Sequence, residues 1–287
     1  MAYDILTVVA LGVLVVAFII TSFMIKTKHR QRVMHRHFPD SWLPCLEKLP
    51  LYNMLPEELQ EELRARVMIF LDEKEFEGCG GMEINDEMKV TIAALACMLL
   101  LNKKLDYYPE LNSVLVYPDA YISPKGVSKV GGNQIIVDTE SARLGESWLH
   151  GDLIVSWNKI ESEAYNEYSR SNVILHEFAH QVDQMNGAAD CVPPLVKRDD
   201  FDDWEEVVPK EFADLQRRIE FGIPDVIDRY GATNPAEFFA VTTEAFFCKS
   251  IDLQHHRPEL YNQFRNFYQL DPASWCEDHR SRSQFAE

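Results

Sequence analysis

The 287-residue sequence predicts an α+β fold, in which an N-terminal apolar helix precedes one domain of helices around a small sheet. Three observations predict this fold. The chain opens with Ile5–Ile25, a run without a single charged residue. Two stretches with helical apolar spacing follow, and then come short strand-like runs that glycine and proline separate.

The run Ile5–Ile25 is long enough to cross a membrane. At about 1.5 Å per residue, a helix of this length covers about 31 Å, the thickness of a hydrocarbon core. Only Asp4 precedes the run among charged residues, whereas five basic residues follow it at once: Lys26, Lys28, Arg30, Arg32 and Arg36. The positive-inside rule therefore predicts a single-pass anchor in the cytoplasmic (inner) membrane, with the rest of the chain facing the cytoplasm.

Two other interpretations of this segment fit less well. A cleaved signal peptide has a basic start, a shorter apolar core and a small-residue cleavage site, none of which is present. An amphipathic helix on the membrane surface has a polar face, which the run lacks. We therefore expect residues 5–25 to contact the lipid bilayer, and we divide the chain into an anchor with its basic flank (residues 1–36) and a single domain (residues 37–287).

The composition excludes some classes of function. The formal net charge is −18 even though the basic flank is positive, so the domain itself is strongly acidic. Such a surface repels phosphate backbones, and we expect no nucleic-acid binding. The 6 cysteines are scattered without a C-x-x-C pair, which favours buried thiols in a reducing cytoplasm over disulfides or a cysteine-rich metal site.

Local patterns predict the elements of the domain. Pro56–Glu73 has helical apolar spacing, and Asn85–Asn102 is apolar nearly all round, which is typical of a buried helix. Strands are expected next, and a closing helix is expected near the end of the chain. These later elements are Val114–Tyr117, Gln134–Asp138 and Leu153–Trp157 as strands, and Pro258–Tyr268 as the helix.

The clearest chemical signal is the pentapeptide H-E-F-A-H at residues 176–180. On a helix, His176 and His180 lie on one face and can bind the same metal ion, while Glu177 is close enough to accept a proton from water bound to it. A helix is expected here because Ser171-Asn172 offers a cap at its start and Asn186-Gly187 a stop. The alternative is a buried helix with two core histidines.

A catalytic zinc ion usually has three protein ligands, so we expect a third on another element. The best source is the apolar helix that starts with Asn234 as its N-cap and Pro235 at its first position. Glu237 and Glu244 lie seven residues apart, and hence on one face of that helix. Glu237 is also placed to fold back onto Asn234 in a capping box. Spacing alone leaves ligand and cap equally open for Glu237, with Glu244 as the rival ligand.

Another candidate lies on the helix that carries the two histidines. Asp183 shares their face, being three residues after His180 and seven after His176. It could hydrogen-bond a ligating imidazole from outside the metal's own shell, or it could be an ordinary solvated residue.

The residues around these candidates resemble a known family. Its motifs occur in order at residues 86–89, 114–118, 145–148, 153–157, 172–187 (NVILHEFAHQVDQMNG), 193–195 and 230–247. This ordered set, which extends over about residues 45–275, resembles the Mlc titration factor A family of zinc metallopeptidases. The resemblance implies a zincin-like domain of the gluzincin kind, in which two helix-borne histidines and a downstream glutamate bind Zn²⁺.

The resemblance also implies a role for each site residue. His176, His180 and Glu237 would hold the zinc ion, Glu177 would act as general base, and Tyr230 would stabilise the oxyanion. Without the resemblance, Tyr230 would count as a plain buried tyrosine. In peptidases of this plan a sheet edge beside the metal helix binds the substrate as an added strand, and Gly145–Trp157 is the expected source of that edge.

Three classes of function follow. The first is a zinc peptidase acting on peptide or protein substrates, for which an aminopeptidase mode is one form and internal cleavage another. The second is a membrane-tethered binding protein that sequesters a transcriptional regulator, because the family's namesake is known for sequestering a transcriptional repressor. The third, a structural zinc domain, is disfavoured because such sites prefer cysteine-rich shells.

Overall fold

The computed structural model describes residues 2–103, 105–119, 128–130, 133–135, 145–147, 151–187, 191–194 and 198–276. Most of these residues are helical, and a small sheet lies among the helices, so the expected combination of helices and a sheet is confirmed. The helices are α1 (Ala2–Met34), α2 (Leu43–Glu47), α3 (Pro50–Met54), α4 (Glu57–Glu73), α5 (Asp86–Met98), α6 (Trp157–Ala164), α7 (Val173–Asp183), α8 (Arg198–Glu220), α9 (Pro235–Cys248), α10 (Ser250–His256) and α11 (Pro258–Tyr268). The strands are β1 (Glu75–Gly78), β2 (Ser113–Tyr117), β3 (Ser128–Val130), β4 (Asn133–Ile135), β5 (Gly145–Ser147) and β6 (Asp152–Ser156).

The main sheet has the strand order β1-β2-β6-β5. β1, β2 and β6 are parallel, whereas β5 runs antiparallel to β6 at the edge. Within the parallel part, the buried residues Val114 and Val116 of β2 are in register with the buried Leu153 and Val155 of β6. β5 contacts α7, so one edge of the sheet lies beside the helix that carries the two histidines. β3 and β4 form a separate antiparallel pair.

The core packs against the back of α7. Phe178 lies on the opposite side of this helix from the histidines, and its ring meets those of Phe70 and Tyr108 at centroid distances of 5.7 and 4.7 Å. Such edge-on aromatic contacts are worth about 0.5–1.5 kcal/mol each beyond the area they bury. α5 is buried along almost its whole length, as its apolar sequence predicts, and contacts α4 and α7. α7 is therefore fixed from behind.

The predicted elements differ from the observed ones mainly at their ends. The helices expected at Pro56–Glu73, Asn85–Asn102 and Pro258–Tyr268 correspond to α4, α5 and α11. The strand expected to end at Trp157 ends at Ser156, because the Ser156 hydroxyl accepts the Lys159 amide and caps α6. Of the strand expected at Gln134–Asp138, β4 covers the start, and residues 136–138 lie outside the described residues.

α1 continues without a break from the apolar run into the basic flank. Among the described residues, it is the one helix long and apolar enough to span a membrane, and its apolar side chains are exposed. The flank packs against α4, its Val33 is buried, and a set of ion pairs joins it to the end of α4 and to Asp106, which lies between α5 and β2. We call these ion pairs the stalk junction, which comprises Lys26, His29, Arg30, Asp72, Glu73 and Asp106.

Candidate metal centre

The start of α7 is fixed by three side chains. Asn172 is the N-cap, and its side chain accepts the amides of the second and third helical residues at 3.1 Å each. Glu163 accepts the Val173 amide at 2.7 Å, and Glu244 accepts the Asn172 amide at 2.8 Å. Because the first amides of a helix lack partners within it, these contacts determine where α7 begins. Gly187, with a φ of +93°, follows the turn after α7, as its sequence predicts.

α9 packs directly on α7 and presents its two carboxylates to the histidines. Asn234 caps α9 by accepting the Glu237 amide at 3.0 Å, and Pro235 occupies the first turn, as the sequence predicts. The Glu237 carboxylate extends to the imidazoles. Glu244 lies two turns further along and meets the other ring nitrogen of His176. Both carboxylates therefore contact one histidine, and their spacing of seven residues places them on the face that allows this.

Three ligand atoms converge on one point. His176 Nε2 and His180 Nε2 are 3.2 Å apart, and Glu237 Oε2 lies 3.1 Å from the first and 3.4 Å from the second. The three side chains are only 13–16 % exposed. Among the described residues, they are the group of histidine, cysteine and acidic side chains that could hold a metal ion.

These distances fit a zinc ion. With zinc–ligand bonds of about 2.0–2.2 Å, neighbouring corners of a tetrahedron lie about 3.3–3.6 Å apart. The buried Glu237 Oε2 has no hydrogen-bond partner in the described part of the chain, although it lies beside two ring nitrogens. The Glu244 carboxylate at 2.8 Å selects the Nδ1–H form of His176 and so leaves a lone pair on Nε2. The lone pairs of His176 Nε2 and Glu237 Oε2 face one another in a buried pocket. They repel each other unless a cation lies between them.

The electrostatics of the pocket show the same demand for positive charge. Burial lowers the pKa of His176, but the nearby carboxylates of Glu237, at 3.1 Å, and Glu244, at 2.8 Å, outweigh burial and raise it to about 10. Burial likewise opposes ionisation of Glu237, yet contact with His176 and His180 lowers its pKa to about 2. Two buried carboxylates therefore favour positive charge at this point, which a bound metal ion would supply.

Glu177 and Tyr230 lie beside this group. Glu177 is buried, and burial raises the pKa of its carboxyl above the ordinary glutamate value. A raised pKa brings a carboxylate closer to the range in which it can exchange protons at neutral pH. The ring of Tyr230 lies 6.1 Å from that of His176, and the side chain is 47 % exposed, so the expectation of a plain buried tyrosine is wrong.

The outer partner of the imidazole is not the residue that the sequence first offers. Asp183 is fully buried and accepts the Cys191 amide at 3.1 Å, so its interpretation as a solvated residue is wrong. Glu244, predicted only as a rival ligand, instead bridges His176 Nδ1 and the Asn172 amide. Its position seven residues after Glu237, on the same helix face, indicates that it lies on the side of the histidines but does not distinguish an outer partner from a ligand.

Comparisons with known proteins cover most of the chain. A family model described as glucose-regulated metallo-peptidase M90 matches residues 25–269, which include the whole candidate centre. An uncharacterized protein of Synechocystis sp. is 39% identical over 248 residues, 86% of this chain and 90% of that protein. Proteins named Mlc titration factor A from Escherichia coli and Shigella flexneri are each 32% identical over 237 residues, covering 80% of this chain and 87% of theirs.

Proposed function

The chain belongs to the glucose-regulated metallopeptidase family, as its resemblance to the Mlc titration factor A proteins predicted, and on that premise we propose that it is a zinc-dependent peptidase. The family implies a metallopeptidase-like domain with a metal ion, typically zinc. The observation that supports the specific site is the convergence of His176, His180 and Glu237 at separations of 3.1–3.4 Å. In this proposal these three residues hold the metal.

Each neighbouring side chain then has one task. Bound zinc would supply a Lewis acid that polarises the scissile carbonyl and makes water easier to deprotonate. Glu177 accepts the proton of the attacking water and delivers it to the leaving amine. Because Glu177 is buried, bulk water does not solvate its carboxylate. Tyr230 donates a hydrogen bond from its phenol O–H to the oxyanion that develops on the former carbonyl oxygen, and so stabilises that charge. Glu244 holds the His176 ring in the required tautomer.

We further propose that the peptide substrate binds along β5. This strand, Gly145–Ser147, is one of the two edge strands of the main sheet, and it contacts α7. An edge strand offers unpaired amides and carbonyls, with which an extended peptide can form a further strand. This edge lies within the expected segment Gly145–Trp157. The domain is in this view zincin-like. Aminopeptidase activity and internal cleavage both remain predictions.

A second candidate function is binding of a transcriptional regulator. Two relatives bear the name Mlc titration factor A, which is the name of a protein that titrates another. The present chain would then be a membrane-tethered binding protein in which peptide hydrolysis is weak or regulated. Glu177 favours the peptidase, because pure binding does not require a buried base beside the metal ligands.

Substituting the base separates the two functions. The full chain in detergent, loaded with zinc, is incubated with a peptide library beside Glu177→Gln. We expect both proteins to retain about one zinc per chain and the variant to lose about 10²–10⁴-fold in hydrolysis, the usual contribution of general-base catalysis. Equal cleavage by both would reject the peptidase mechanism. Absence of cleavage by the wild type, with retained binding of a regulator, would favour the second function.

We also propose that α1 is a cytoplasmic-membrane anchor with residues 37–287 as one catalytic domain on the cytoplasmic side. Five basic residues flank the apolar run on its C-terminal side, which supports this orientation. The protein should stay in the membrane pellet through high salt and alkaline wash. A fluorescent reporter fused after Glu287 should be active in the cytoplasm, whereas activity of a phosphatase reporter at the same position would place the domain outside.

A further inference from the structure

Tyr230 stands on a short segment that links α8 to α9. The segment forms a tight 3-10 turn at Arg229–Ala232, in which the Tyr230 amide donates to Asp228 at 2.9 Å. Gly231 is buried, and a Cβ there would lie 3.2 Å from Ile227 and 3.3 Å from Val241. The turn is therefore closely packed. The contacts that fix the segment also fix the backbone of Tyr230.

The segment is held by a buried ion-pair network around Asp225. The side chains of Asp225 and Arg257 are only 6 % and 5 % exposed. Arg257 donates to both Asp225 oxygens, from Nε at 2.9 Å and from Nη2 at 2.6 Å. Arg218 Nε lies 2.7 Å from the same carboxylate. Paired hydrogen bonds of this kind fix both distance and direction, because the guanidinium is planar.

Arg257 also connects this network to the body of the domain. It lies between α10 and α11, and it pairs with Glu211 and with Asp214, the latter at 3.2 Å, on α8. Burial alone would raise the pKa of Asp225, but the bonds from Arg257 lower it, which keeps the carboxylate charged. Arg257 thus connects α8, the junction of α10 and α11, and the start of the segment that carries Tyr230.

Two further contacts hold the segment on either side of the turn. Lys249, at the end of α9, donates to the Val226 carbonyl at 2.9 Å, and Gln216 of α8 donates to the Ala232 carbonyl at 3.2 Å. The phenol side chain itself is 47 % exposed and so is not enclosed by the core. The backbone of the turn carries the phenol ring to its place 6.1 Å from the His176 ring. A catalytic donor misplaced by about 1 Å can lose on the order of 10²-fold in rate.

We propose that Asp225 and Arg257 are positioning residues that set the place of Tyr230 over the metal centre. This inference rests on the proposed peptidase function and deepens it. The paired bonds between Asp225 and Arg257 fix the turn relative to α8 and α10. They affect the reaction only by setting the position of Tyr230. Removing them leaves the metal ligands in place but allows the phenol to move.

A double-mutant cycle tests the coupling. The zinc-loaded full chain is compared with Asp225→Asn, Tyr230→Phe and the double variant, using the peptide that the wild type cleaves best. We expect Asp225→Asn to lower kcat by about 10–100-fold with little change in KM or zinc content. In the Tyr230→Phe background the same change should have almost no further effect, since the group it positions is already absent. An equal loss in both backgrounds would overturn the proposal.

Two more variants keep the test decisive. If Asp225→Asn folds poorly, Arg257→Lys retains the charge but not the paired bonds, and the same non-additivity with Tyr230→Phe is expected. Asp271→Asn removes a carboxylate that accepts from Tyr261 at 2.6 Å away from the turn, so it should leave kcat unchanged. If Tyr230→Phe alone leaves kcat unchanged, the positioning proposal fails, whereas the Glu177→Gln comparison still decides whether the chain is a peptidase.

Discussion

The metal centre and the stalk junction both pair a histidine with a carboxylate at short range. His29 Nε2 lies 2.5 Å from Asp72, a shorter distance than the 2.8 Å between His176 Nδ1 and Glu244. The side chains of the first pair are 46 % and 26 % exposed, however, and those of the second only 14 % and 12 %. Water and salt weaken an exposed pair, whereas a buried one keeps most of its attraction. Burial, and not distance, distinguishes the candidate metal centre from the stalk junction.

The largest expected difference concerns metal binding. His176→Ala removes one of three proposed ligands and should abolish retention of zinc, and with it peptide hydrolysis. His29→Ala breaks the shorter contact at the stalk junction and should leave about one zinc per chain, as in the wild type. Elemental analysis after passage through a chelating column measures both. Similar zinc contents in the two variants would contradict the proposal that the metal centre, and not the stalk junction, binds zinc.

A finer distinction lies within the metal centre. Glu237→Ala should lose zinc, whereas Glu244→Gln should retain it with an affinity lower by about 10–100-fold, the usual cost of losing an outer hydrogen bond to a ligating histidine. Competition with a chromogenic chelator gives both affinities. Full occupancy in Glu237→Ala together with loss in Glu244→Gln would exchange the two assignments.

A third prediction concerns Lys74, whose ammonium group is buried beside the stalk junction. It donates to the carbonyls of Tyr108 and Leu111, and burial lowers its pKa to about 8. An unfolded lysine titrates near 10.4, so between about pH 8 and 10.4 the unfolded chain holds more protons. Stability from this group therefore rises with pH across that interval.

Urea unfolding at several pH values measures the effect of Lys74. The free energy of unfolding of wild type minus that of Lys74→Met should increase as the pH is raised from about 8 towards 10. The difference between the two proteins is the quantity to follow, because other groups also titrate in this range. A difference that is independent of pH would mean that Lys74 has an ordinary pKa.

The smallest effect is expected at the exposed edge of the junction. Lys26 and Asp106 are 3.3 Å apart with side chains 47 % and 41 % exposed. Lys26→Met should change the free energy of unfolding by at most about 1 kcal/mol, and less at high salt. Lys210→Met removes an ion pair that is still more exposed. It serves as the control and should leave the free energy of unfolding unchanged. A large effect of Lys26→Met would show that the junction resembles the metal centre more than its exposure suggests.

The sequence predicted those helices whose apolar periodicity and capping residues indicate the same start. Asn172, Asn234 and Pro235 occupy the helix starts at which their chemistry places them, and α7 presents both histidines on one face. The contacts of Glu237 and Glu244 could not be separated from sequence, because a helix shows both on the same side. The packing of α9 on α7 decides which ring nitrogen each carboxylate meets.

Other elements were missed for identifiable reasons. α8 contains Pro209, and a proline inside a segment argues against a continuous helix there. Its buried Trp204, Val208 and Leu215 nevertheless have helical spacing. β1 is a short strand with two glutamates among its four residues, and it exists only because β2 supplies a partner. Tertiary contact, absent from any local pattern, creates such an element.

The unbroken course of α1 has a consequence for how substrates are found. Between Lys26 and Met34 the helix rises by about 12 Å, and its flank is fastened to α4 by the stalk junction. If the proposed anchor Ile5–Ile25 lies in a bilayer, the domain has no flexible linker on which to move away from it. Its search for the proposed substrates would then be two-dimensional, and targets at the membrane would meet it at a raised effective concentration. A peptidase held in this way would select its substrates by membrane location as well as by sequence.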